Sequence, residues 1–119
     1  MMMTKKIFNP FKSQNKKPFI VAEVSGNHGQ SIKKAKKLVL EIAKTGAHAI
    51  KLQTYKPETM TFNIKKKDFF IKNKKSLLKG NYLFDLYKKA YTPWEWHKEI
   101  FDLAKKNGLL AFSSVFIRP

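Results

Sequence analysis

Polar residues collect in this chain where apolar runs end. The run Pro18-Phe19-Ile20-Val21-Ala22 closes on Glu23, and Ser25-Gly26-Asn27-His28-Gly29 follows at once. In a second run Lys51 and Gln53 alternate with Ile50 and Leu52, and a third run, "LLAFSS", ends on Ser113 and Ser114. Carboxylates and ammonium groups are seldom buried alone, because removing a charge from water is costly unless a partner replaces the solvent. Side chains alternate along a strand, so Ala47, Ala49, Lys51 and Gln53 share one face while His48, Ile50 and Leu52 take the other. The apolar face meets helices. Lys51 on the opposite face then needs an anion, supplied by Glu23 one strand away, by a bound substrate, or by both.

Each of these residues also has a plainer reading. Lys51 can be an edge lysine in solvent, and Glu23 its structural counter-ion. Asn27-His28-Gly29 can be a turn chosen for backbone conformation. Ser113 and Ser114 read equally well as loop residues. His48 reads as a satisfied, helix-facing histidine, His97 as a surface or packing residue, and Trp94 and Trp96 as packing groups. The three histidines are too scattered along the sequence to make a metal site on their own.

The elements that would position these residues are legible. Residues 18–24 read as a first strand. Ser31 caps a helix whose apolar positions Ile32, Ala35, Leu38, Val39, Ile42 and Ala43 fall on one face, with lysines filling the others. Gly46 supplies the left-handed stop, and "AHAIKLQT", 47–54, is a second strand. Strand, helix and strand joined by short connections define a right-handed parallel βαβ unit. Residues 55–80 have no clean period and read as a long excursion. "NYLFDLYKKAY", 81–91, reads as a short helix. Thr92-Pro93-Trp94-Glu95 reads as the start of another: Thr as N-cap, Pro first in the helix, Glu closing a capping box. That helix runs to Gly108, and 109–114 is the third strand. Three parallel strands backed by helices form either a small open sheet or the first three β/α units of a (β/α)8 barrel.

The totals narrow the field. The 119 residues suit one domain, and 43% hydrophobic content makes it globular. There is no cysteine, hence no disulfide framework, which fits a reducing cytoplasm. No apolar stretch is long enough to span a bilayer. Residues 1–17 read as a polar leader with a small apolar cluster at Ile7, Phe8 and Phe11, lacking the apolar region of a secretory signal. The formal charge of +17 invites a nucleic-acid or anionic-membrane reading. Against it, every one of the 25 basic residues except Arg118 is lysine, whereas base readout and bidentate phosphate contacts favour arginine. A lysine-coated, solvated surface is the expected outcome, with no specific nucleic acid or membrane partner.

Taken as a set, the motifs Ala22-Glu23, Asn27-His28, Gly46-Ala47 and Ala49-Ile50-Lys51-Leu52-Gln53 closely resemble the start of the sialic acid synthase family. "LYKKAYTPWEWHKEIFDLAKKNGLLAFSS" is similar to its pseudaminic acid synthase branch, and the resemblance runs from residue 18 to about 116. It implies the first part of a TIM-type (β/α)8 barrel, from an enzyme that joins phosphoenolpyruvate to an open-chain N-acetylated amino sugar. A divalent metal, manganese or magnesium, would activate the aldehyde. The family adds a small antifreeze-protein-like domain and works as a homodimer. By this resemblance Glu23 and Lys51 are the catalytic candidates, Lys51 gripping the phosphoenolpyruvate anion and Glu23 holding the polar network beside it. Asn27 and His28 in the first loop, Gln53 in the sugar pocket and Ser114 on the anion would bind substrate.

Two departures stand out. His48 occupies a position where the family carries Asp, and the family's Pro-Phe-Asp after the third strand is replaced by Val115-Phe116-Ile117-Arg118-Pro119. The expectation is therefore a fragment, frameshifted or truncated near residue 115 and inactive alone. It would lack five barrel strands, the metal-binding histidines and the C-terminal domain. The rivals are a lysine-rich α/β module that binds nucleic acid or an anionic surface, and a subunit of a split barrel completed by a separate chain.

Overall fold

A computed structural model describes residues 18–73, 75–76 and 79–116. The leader, with its Ile7-Phe8-Phe11 cluster, and residues 117–119 lie outside the described residues. Three parallel strands, β1 (Val21–Val24), β2 (Ala49–Tyr55) and β3 (Leu110–Phe116), form one sheet in the order β1-β2-β3. Helix α1 (Ile32–Lys44) follows β1, and α2 (Pro57–Met60), α3 (Leu83–Ala90) and α4 (Trp96–Lys106) lie between β2 and β3.

Local chemistry explains α1. The Ser31 hydroxyl accepts from the Lys34 amide at 3.3 Å, satisfying one of the amides a helix start leaves free. At the far end Gly46 adopts φ +86°, a conformation that side chains resist. The apolar stripe faces the sheet: Ala35 and Val39 are fully buried, and Leu38, Ile42 and Ala43 pack around them. Helix α4 contributes Ile100 and Ala104 to the same core, against Val24, Ile50, Leu52 and Leu109 of the sheet side. Burial of Ile50, Leu52 or Ile100 stabilises by roughly 1.5–3 kcal/mol each. Lys36 of α1 and Glu99 of α4 pair across the top of the helix layer.

Three sequence expectations are corrected. The strand edges shift: β1 begins at Val21, and β3 extends to Phe116 because pairing with β2 continues through Tyr55 opposite Phe116. Ser113 and Ser114 therefore lie inside a strand, not in a loop. Helix α4 starts at Trp96, because Pro93–Glu95 form tight turns with Trp96 N donating to Pro93 O and His97 N to Trp94 O. The Thr92 hydroxyl does not cap that helix; it reaches Ser25 O at 3.4 Å and His28 Nε2 at 3.1 Å. His48 is satisfied, with the chain entering β1 among its partners. Its Nδ1 accepts from the Ile20 amide at 2.9 Å, and its ring stacks on Phe19 at 5.2 Å. An acceptor is what this contact requires, and the imidazole supplies it.

The excursion after β2 is partly ordered by its own contacts. Besides α2 it holds a 3₁₀ turn at Lys67–Phe69 and an antiparallel bridge between Phe70 and Tyr82, whose rings meet edge-on at 5.0 Å.

Candidate active site

Helices cover one side of the sheet. The other side carries the polar residues singled out above, in a layout fixed by strand register. Glu23 pairs in register with Lys51, and Gln53 pairs with Ser114. Glu23, Lys51, Gln53 and Ser114 thus occupy one patch at the carboxyl ends of three adjacent strands, where parallel α/β folds place their chemistry. Lys51 Nζ stands 3.4 Å from Glu23 Oε1. The pair is partly open, with the Lys51 side chain 31% and the Glu23 side chain 49% exposed. A salt bridge this exposed contributes only about 0–1 kcal/mol to stability. Its value lies in holding an ammonium group upright beside the sheet. Ser114 Oγ is buried and makes no hydrogen bond among the described residues. An unpaired buried hydroxyl costs about 1–3 kcal/mol, which calls for an explanation such as a ligand. Val21, Phe112 and Phe116 lie in the same residue rows and are 39%, 44% and 45% exposed. In a closed barrel such positions fill the interior.

The first loop divides the two remaining candidates. Asn27 is exposed in the turn after β1. His28, expected among the substrate-binding residues, is wholly buried. Its Nδ1 accepts from the Gln30 amide at 3.2 Å, so the proton sits on Nε2, which donates to Thr92 Oγ1 at 3.1 Å. Thr92 in turn donates to Ser25 O. The Trp96 indole meets the imidazole edge-on at 5.2 Å. Burial holds the imidazole pKa below its ordinary value, against a smaller opposing effect of the Ser25 carbonyl. A neutral His28 with both nitrogens in use ties the β1–α1 loop to the start of α4.

Two further contacts complete that clasp. Gln30, in the left-handed region at φ +58°, sends its side-chain amide to Tyr91 O. Gly26 comes so close to α3 that a Cβ there would lie 2.9 Å from the Ala90 Cβ. Trp96 packs as the sequence suggested, but sequence reasoning missed this use of Thr92, and also a part-buried assembly of Thr54, His97 and Ser113. The polarity of Thr54 at a helix-facing strand position was the available signal.

Beside the carboxyl end of β2 opens a cleft of about 800 Å³ bounded by Tyr55, Lys56, Asn63, Lys88, Thr92 and Trp94, among others. Tyr55 is 4% exposed, and its ring meets Tyr87 edge-on at 5.5 Å. Burial, aided by Tyr87, pushes its phenol up to about 12, so it stays neutral. Among the described residues no three His, Cys, Asp or Glu side chains converge as metal ligands. Glu23 is a single carboxylate already facing a lysine. The residues at hand do not make a metal centre.

A parallel sheet with helices on one side and an ammonium–carboxylate pair, an amide and a hydroxyl on the other defines a protein of the (β/α)-barrel class, here its first three β/α units. Within that class the chain belongs to the NeuB family, whose sequence pattern matches residues 38–119. It is 46% identical over 104 residues to the pseudaminic acid synthase of Campylobacter jejuni strain NCTC 11168, covering 87% of this chain and 30% of that protein. The pseudaminic acid synthase of Helicobacter pylori is 48% identical over 99 residues, 83% of this chain and 28% of the relative. The fold is similar to the N-acetylneuraminic acid (sialic acid) synthetase of Leptospira borgpetersenii, with a TM-score of 0.61 and 28% identity over 85% of this chain and 30% of that one. It is also similar to the Bacillus subtilis spore coat polysaccharide biosynthesis protein SpsE, with a TM-score of 0.53 and 26% identity over 82% and 23%. The chain thus spans less than a third of each of these relatives.

Proposed function

We propose that this chain forms the anion-binding corner of a nonulosonate synthase, of the kind that condenses phosphoenolpyruvate with an N-acetylated amino sugar to make pseudaminic acid. In that reaction C3 of phosphoenolpyruvate attacks the sugar aldehyde, forming a carbon–carbon bond. Water then adds at C2, and phosphate leaves as the C2–O bond to phosphorus-bound oxygen gives way to the keto acid. The observation that carries the reading is the patch of Glu23, Lys51, Gln53 and Ser114 on one sheet face, in a chain 46–48% identical to pseudaminic acid synthases. Lys51 supplies the fixed positive charge for the carboxylate or phosphate of phosphoenolpyruvate. Glu23 holds Lys51 in place until the substrate arrives. Ser114 Oγ donates to the same anion, and Gln53 reads the sugar. No step is assigned to a metal, since these residues do not form a metal site. A divalent metal and a homodimer belong to the proposal only through residues beyond this patch, and so does a cytoplasmic location.

The test is a chimera in which residues 18–116 replace the matching segment of the C. jejuni pseudaminic acid synthase. Phosphate release should persist. Lys51→Ala should weaken phosphoenolpyruvate use by roughly tenfold to a hundredfold, the effect of losing a charge-assisted contact of about 1.5–3 kcal/mol. A folded, active chimera indifferent to Lys51→Ala would remove Lys51 from the site.

A further inference from the structure

A second polar assembly lies on the covered side of the sheet, behind the patch. Thr54 of β2 is 2% exposed. Its Oγ1 meets His97 Nε2 of α4 and Ser113 Oγ of β3, each at 2.5 Å. On the other side of the ring, His97 Nδ1 faces two carbonyl oxygens, Trp94 O at 3.0 Å and Pro93 O at 3.2 Å. Carbonyls only accept, so Nδ1 carries a proton and, in the neutral ring, Nε2 accepts. The hydroxyls are thereby oriented: Thr54 donates to His97, and Ser113 donates to Thr54. The rings of Trp94 at 5.2 Å and Phe101 at 5.8 Å hold the imidazole in place. Ser113 Oγ also lies 3.1 Å from the carbonyl oxygen of Ser114, but its one proton is committed to Thr54, so that contact is left unused. The chain His97–Thr54–Ser113 therefore grips β3 at the residue before Ser114. Strand alternation turns Ser114 to the opposite face, where its buried Oγ has no partner among the described residues.

We propose that His97 is a positioning residue: acting through Thr54, it anchors the Ser113 side chain and so sets the place in β3 from which the neighbouring Ser114 Oγ meets an anion. The identity of that anion as phosphoenolpyruvate rests on the function proposed above; the positioning itself does not. Two separate observations meet here. One is a part-buried three-residue hydrogen-bonded chain with a defined direction, and the other is an unpaired hydroxyl one residue beyond its end. Packing alone would be served as well by an apolar residue at Thr54, which shares the core-side face of β2 with Ile50 and Leu52.

The experiment uses the 119-residue chain, labelled for NMR, as wild type and as Thr54→Val, Thr54→Ser and Ser113→Ala. In the wild type with a neutral His97 ring, the ring nitrogens should show a protonated Nδ1 and a hydrogen-bonded, unprotonated Nε2. Thr54→Val keeps the shape of the side chain and removes the hydroxyl. It should shift the Nε2 resonance and the Ser114 amide and Cβ resonances while leaving Val21–Val24 in place. Thr54→Ser should restore both signals. Ser113→Ala, the milder change, should move Ser114 and leave the His97 tautomer intact, and it decides the matter if Thr54→Val does not fold. Ser114 resonances that ignore both Thr54→Val and Ser113→Ala would overturn the inference, as would a His97 protonated on Nε2 alone. Phosphoenolpyruvate is then titrated against the same samples, with inorganic phosphate beside it. A Ser114 response in the wild type and in Thr54→Ser that weakens about tenfold in Thr54→Val supports both readings together. Unresponsive Ser114 in every sample, with the tautomer and the shifts as expected, sinks the substrate assignment and leaves the positioning role standing.

Discussion

His28 shows how a buried imidazole can hold a loop beside the candidate patch. It is neutral because Nδ1 must accept from Gln30 and because burial disfavours the charged ring. Its folded pKa lies below the ordinary 6.5. The unfolded chain therefore binds a proton more readily, and the contribution of the neutral ring is complete above 6.5 and is lost as pH falls through the folded value. Thermal unfolding followed between about pH 8 and pH 5 should show wild type losing stability more steeply than His28→Gln on the acid side. Parallel slopes for the two proteins would mean that His28 titrates normally in the folded state. At neutral pH, His28→Ala should cost about 2–4 kcal/mol, since it empties a buried site and strands the Thr92 hydroxyl and the Gln30 amide.

At the scale of elements, the β1–α1 loop is held against α3 and the start of α4. Gly26 is the point of closest approach, and the 2.9 Å from its position to the Ala90 Cβ leaves no room for a methyl group. Gly26→Ala should therefore destabilise by about 1–3 kcal/mol, as overpacking of a close contact does. The partner change Ala90→Gly should recover part of that loss, and a double-mutant cycle measured by chemical denaturation reads the coupling. Additive losses would show that the loop yields elsewhere. The same loop carries Asn27 out to solvent, so loosening it is the natural way to move Asn27 without changing Asn27 itself.

For the whole molecule, the open sheet face and the positive surface pull in different directions. Lys33, Lys34, Lys36, Lys37 and Lys44 line a broad groove along α1, with Glu41 among them. These are long solvated side chains with no arginine fork and no aromatic platform, so duplex DNA should bind no tighter than ordinary non-specific association, roughly 10⁻⁴–10⁻⁶ M, and should release steeply as salt rises. Submicromolar, sequence-selective binding would favour the rival reading of a nucleic-acid module. The open face argues separately about catalysis. With Lys51 31% and Glu23 49% exposed, their field is screened by water. The purified 119-residue chain should therefore release no phosphate from phosphoenolpyruvate with an N-acetylated amino sugar and manganese. Clear turnover would show that the exposed patch suffices. No helix among the described residues is long and apolar enough to cross a membrane.

The amino-acid sequence by itself determined the elements and the faces. Ser31 and Gly46 bound α1 through contacts within a few residues, and the alternation of Lys51 and Gln53 with Ile50 and Leu52 needs only the two-residue period of a strand. The parallel sheet and the placing of Glu23 beside Lys51 were legible on that basis, and the likeness to sialic acid synthases in the motifs themselves. Tertiary structure decided what each polar side chain does where two assignments are locally equal. Asn27 and His28 are neighbours in one turn, yet one meets solvent and the other is sealed by Thr92, 64 residues away. Thr92 has the sequence of a helix cap but spends its hydroxyl on His28 and Ser25. Thr54 meets His97 and Ser113, 43 and 59 residues distant, in a hydrogen-bonded chain that no local pattern encodes. The reason is physical: period and capping are set by neighbours along the chain, whereas a buried hydroxyl or imidazole takes whichever partner the packed elements bring within reach of it.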